Sequence, residues 1–102
     1  MVEYGLSDVQ NDIVIECNNI KELLLEKNRK YGNSAIHPSR IFSKSSSIEQ
    51  IYVRIDDKIN RIMNRQDDDV EDTITDLIGY LILLRVALKQ ESKILSKTKT
   101  GL

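Results

Sequence analysis

The chain has 102 residues, 40% of them hydrophobic and 30% charged, with a formal net charge of -1. That length suits one domain with one core and is too short for two. The near-neutral balance gives no bulk field for nucleic acid or an anionic membrane, so any anion binding has to come from a local patch.

The first helix is expected over about 8–31. Ser7 and Gln10 have capping-box spacing, which satisfies exposed N–H groups at a helix start. Val9, Ile13, Cys17, Ile20, Leu24 and Tyr31 then recur at three- and four-residue steps, a helical stripe. On that stripe Cys17 reads as a core residue. Gly32 is a natural stop, because glycine can take the left-handed conformation that a helix end often needs.

"GNSAIHPSRIFSKSSS" follows, holding the only Pro, the only His and the only Phe of the chain. Neither helical nor strand periodicity is sustained there. It reads as a loop of about fifteen residues, and loops of that length are usually functional or mobile. His37 lies in it beside Pro38, and a lone loop histidine is more often exposed than a ligand.

Ser46 and Glu49 have the spacing of a second capping box, opening a helix over about 47–65. Ile48, Ile51, Ile55, Ile59 and Ile62 share its apolar face. "RQDDD" is the next turn, and Asp68 with Glu71 is a candidate cap. The third helix is expected over about 69–90, its acidic first turn suiting the positive end of the helix dipole. Residues 96–102 read as a frayed tail. The expected fold is therefore all-α: a small three-helix unit with one long loop, a single domain over 1–95. The third helix is apolar over more than one face beyond Leu77, more than two partner helices can easily cover. That predicts completion by homo-oligomerisation.

The single cysteine cannot form an internal disulfide, and the N-terminus lacks a basic segment followed by an apolar one. No run is long and apolar enough for a membrane span. These features predict a cytoplasmic protein.

Charges line up on the expected helices. At about 100° per residue, Arg54, Lys58, Arg61 and Arg65 fall within a band of roughly 60° beside the isoleucine face. Like charges four residues apart repel, so the ridge costs stability unless anions lie opposite. Asp57 offsets part of it through its spacing to Arg61. Asp12, Glu16, Asn19 and Glu26 form an acidic band on the first helix. Asp72 and Asp76 share a face of the third with Gly79 and Leu83. One reading is solvated faces and interhelical salt bridges. The other is that the acidic ridges hold Mg²⁺ while the basic ridge takes the phosphates that the metal also touches. Tyr31 and Tyr80 are candidates to stack on a base, with core packing as the plainer role. No nucleophile–base pair, Cys/His cluster or glycine-rich phosphate loop is recognisable.

"EKNRKYGNS" (Lys27, Tyr31, Gly32, Ser34), "RIDDKINRI" (Arg54, Asp57, Lys58, Arg61) and "DTITDLIGY" (Asp72, Asp76, Leu77, Gly79, Tyr80) resemble, in that order, the nucleotide modification associated domain of phage and bacterial proteins. That family is similar to the all-α nucleotide pyrophosphatases of the MazG type. The resemblance covers about residues 27–85. It implies an all-α fold, a nucleotide-type ligand and oligomeric assembly, with Arg54, Lys58, Arg61, Tyr31, Tyr80 and Lys27 as ligand-binding candidates. The pyrophosphatases hold Mg²⁺ with Glu-Glu-x-x-Glu and Glu-x-x-Asp motifs on two helices. Here the corresponding positions are Glu22 and Glu26, without the adjacent pair, and Asp72-x-x-x-Asp76. The departure weighs against hydrolysis more than against binding. Three functions follow as expectations. The first is binding of a nucleotide or nucleotide-derived signal, in a phage setting sequestration of a defence signal. The second is Mg²⁺-dependent nucleotide pyrophosphohydrolysis. The third is a helical protein-interaction module.

Overall fold

The computed structural model describes residues 5–33, 36, 45–64 and 70–100, with side chains described as far as residue 93. Three helices make up the fold: α1 (Asp8–Tyr31), α2 (Ser47–Asn64) and α3 (Val70–Thr100). No strand occurs among the described residues. The expected all-α class is what the chain adopts. The chain divides into two compact units, Met1–Gly32 and Asn33–Leu102.

The first unit is α1 and its two ends. Ser7 stays extended, and its hydroxyl accepts the Gln10 N–H at 3.1 Å. The Gln10 side chain returns the bond, accepting the Ser7 N–H at 2.9 Å. Two otherwise orphaned donors are thereby satisfied at once. Asn11, 5% exposed, donates through Nδ2 to the Ser7 carbonyl at 3.1 Å and to the Leu6 carbonyl at 3.4 Å. At the other end Gly32 sits at φ +64° and ψ -147°, a combination open to glycine because it lacks a Cβ. Its N–H donates to the Asn28 carbonyl at 2.7 Å. The predicted ends of α1 are thus the observed ones.

The predicted burial on α1 is not. Ile20 is buried and Leu24 half-buried, but Val9 is 68% exposed, Ile13 56% and Tyr31 61%. Cys17 is exposed, which corrects its reading as a core residue. Periodicity marks the side of a helix that could be covered, and covering it takes a second surface.

The second unit is built on α2 and α3, which pack against each other. Ser46 opens α2, its hydroxyl accepting the Glu49 N–H at 3.1 Å. Ile51 and Ile55 of α2 and Ala87 of α3 form the buried centre. Ile36, Ile48, Leu77, Tyr80 and Leu84 pack around it. The isoleucine stripe therefore becomes core in its first half, while Ile59 is 40% exposed. On α3 the positions facing this core recur every three or four residues, from Thr73 (3% exposed) through Leu77, Tyr80 and Leu84 to Ala87 (4%).

α3 continues ten residues past the expected end at 90, as helix to Thr100, so the frayed tail is a correction as far as that residue. No Gly or Pro falls between Ala87 and Thr100 to stop it. Most of the long loop, including His37, and the 65–69 turn with Arg65 and the candidate cap Asp68, lie outside the described residues. No described helix is long and apolar enough to cross a membrane.

Candidate functional site: the charged face of α2 and α3

Packing of α2 on α3 brings Lys58 to Asp76. Lys58 Nζ lies 3.3 Å from Asp76 Oδ2, with the lysine side chain only 15% exposed and the aspartate 38%. This pair joins the basic ridge to the acidic one across the helix–helix interface. Half-burial removes water from the lysine while leaving the carboxylate partly hydrated, so the pair is screened less than a surface pair. Asp76 thus has a protein partner. Asp72 also takes part in a polar interaction of its own.

The remaining ridge positions stand differently. Arg61 Nε is 3.5 Å from Asp57 Oδ2 on the next turn of the same helix, both about half exposed. That is the intrahelical offset the spacing predicts. Arg54 is exposed, and no ion pair engages it among the described residues. Arg54 and Arg61 are two helical turns apart, about 10.5 Å along the axis. Each presents a planar fork suited to phosphate oxygens. Between them the ammonium of Lys58 is held by Asp76, so among the described ridge residues Arg54 and the solvent-facing edge of Arg61 are the cationic groups left toward solvent.

Tyr80 is half-buried and packs on the Ile51–Ile55–Ala87 core, the plainer of its two expected roles. Tyr31 and Lys27 are exposed and belong to the first unit. Lys30 Nζ lies 5.4 Å from the centroid of the Tyr31 ring, within cation–π range.

The four candidate metal ligands are divided between the units: Glu22 and Glu26 on α1, Asp72 and Asp76 on α3. Glu26 Oε2 accepts from Arg29 at 2.8 and 3.2 Å, and Glu22 lies 3.9 Å from Lys21. No group of three or more His, Cys, Asp or Glu that could hold a metal comes together among the described residues. Within either unit these candidates amount to two carboxylates one turn apart. Mg²⁺ takes six oxygens and commonly draws several from water and substrate phosphate. Two carboxylates one turn apart, as found within either unit, fall short of the ligand set of a protein-held Mg²⁺ centre.

The feature that charge patterning alone misses lies elsewhere on α3. Ile74, Leu81 and Leu88 are 44%, 45% and 45% exposed, and Ile78 is 40% exposed. Their seven-residue and four-residue spacing was the signal available for it.

No protein-family model matches the chain, and neither a curated protein nor a solved structure matches it.

Proposed function

We propose that this protein binds a phosphorylated, nucleotide-type ligand at the α2 face that carries Arg54 and Arg61, and retains it without turnover. The observation that supports this reading is the pair of exposed arginine forks two turns apart, one of them outside any ion pair among the described residues. Lys58 and Asp76 fix the α2–α3 geometry between them. The resemblance to nucleotide-associated domains points to the same ligand class. Any Mg²⁺ would arrive on the ligand's phosphates. Sequestration is favoured over hydrolysis because Asp76, Glu26 and Glu22, three of the four candidate metal ligands, already lie against basic side chains.

Incubation with nucleotides and Mg²⁺, followed by assay of both products and retained ligand, tests the proposal. Retention of unchanged ligand is the expected result, and turnover would favour the pyrophosphohydrolase reading. Arg54→Ala or Arg61→Ala is expected to weaken binding by about 1.5–3 kcal/mol, the range for hydrogen bonds to charged groups. Unchanged affinity in both variants removes the phosphate site. A helical interaction module is the second reading, favoured by the exposed apolar side chains of α3.

A further inference from the structure

We infer that α3 pairs with α3 of a second copy of this chain in antiparallel orientation, through a strip in which Glu71 of one copy meets Arg85 of the other and Ile78 lies near the twofold axis. The inference is independent of ligand binding and uses none of the proposed ligand residues.

Two parallel rows run along α3 beside its core-facing side. The first is Ile74, Leu81 and Leu88, all nearly half exposed. The second is Glu71, Ile78 and Arg85, all exposed. Each row repeats every seven residues, the spacing that keeps a seam facing one partner helix over several turns. At 100° per residue the rows lie about 60° apart and together form one strip. The core-facing positions Thr73, Leu77, Tyr80, Leu84 and Ala87 border the first row on its far side from the second, and the exposure of both rows shows that α2 leaves the strip open.

The second row identifies the occupant. Read forwards it is acid, apolar, base; read backwards it is the complement of itself. In an antiparallel twofold pair a row at the edge of the seam faces the same row of the partner, reversed. Glu71 then comes opposite Arg85 twice, once at each end, with isoleucine against isoleucine between them. A parallel pair leaves Glu71 and Arg85 about 21 Å apart along the axis, since they are fourteen residues apart. Neither charge is in an ion pair within the chain among the described residues. A closed twofold contact of this kind is self-complementary, the commonest form of oligomer. A different protein would have to carry the reversed pattern independently, whereas a second copy carries it by symmetry.

The test is sedimentation equilibrium of the full chain and three variants, Glu71→Arg, Arg85→Glu and the double exchange. Each single exchange turns two attractive pairs into two repulsive ones, and is expected to raise the dimer dissociation constant about tenfold. The double exchange restores opposite charges with the order reversed and should return to within about threefold of the wild type. Both residues are exposed, so helix content by circular dichroism serves as the control for folding. Ile78→Glu, on the axis, should give monomer with unchanged helix content. Three results overturn the inference: a wild type that stays monomeric to about 100 μM, a double exchange no tighter than the singles, or single exchanges without effect.

Discussion

α1 and the α2–α3 pair are both helical, yet they are held by different means. α1 is defined at its ends. Ser7 and Gln10 exchange two hydrogen bonds at one end, and Gly32 closes the other at a positive φ. Along its length Glu26 and Arg29 make a local pair, and most of its large apolar side chains are exposed. The α2–α3 pair is defined in its middle, by Ile51, Ile55 and Ala87 and the side chains around them. Local chemistry is thus sufficient to say where α1 begins and ends. It does not say which apolar face becomes core, because burial is a property of two surfaces.

The largest test of this difference is Ile51→Ala. Ile51 is 3% exposed at the centre of the second unit. Its truncation is expected to cost about 3 kcal/mol, through lost transfer energy and the cavity left behind. Amide hydrogen exchange reads the effect helix by helix. Protection should fall through α2 and α3 and hold in α1. An equal fall in α1 would show one cooperative block and break the comparison.

Asp76→Asn should act more mildly, by about 1–2 kcal/mol. It leaves the Lys58 ammonium, 15% exposed, without its carboxylate. Chemical denaturation of wild type and variant measures the loss. No change would mean that Asp76 is merely solvated.

Smallest is Ser7→Ala, expected to cost about 1 kcal/mol as a lost N-cap. The loss should appear as faster exchange in the first turn of α1, where the Gln10 N–H loses its acceptor, with α2 and α3 unaffected. Faster exchange throughout would mean that α1 is stabilised by more than its ends.

Both the ridge and the strip owe their final meaning to packing. The spacing of Arg54, Lys58 and Arg61 on one face was legible, as was the partial offset of Arg61 by Asp57. Interhelical salt bridges were one of two readings of that ridge; that the bridge runs from Lys58 to Asp76, eighteen residues away on another helix, is set by the packing. Glu22 and Glu26 are grouped with Asp72 and Asp76 by resemblance alone; the first two lie on α1 and the other two on α3, in separate units. On α3 the heptad spacing of Ile74, Leu81 and Leu88 was present in the sequence, but hidden inside a run in which nearly every residue is apolar. Only the contacts of Leu77, Tyr80 and Leu84 with the core separate the covered face from the open one.

By itself the sequence determined the helical class, the capped starts at Ser7 and Ser46, and the stop at Gly32. Each depends on a residue's own backbone preference or on a side chain three positions away, interactions complete within one turn. Tertiary structure decided that Ile51 and Ile55 are core while Ile59 is half open, that Cys17 is exposed, and that Asp76 belongs to Lys58. Those outcomes turn on which helix lies across from which, and distance along the chain does not encode that.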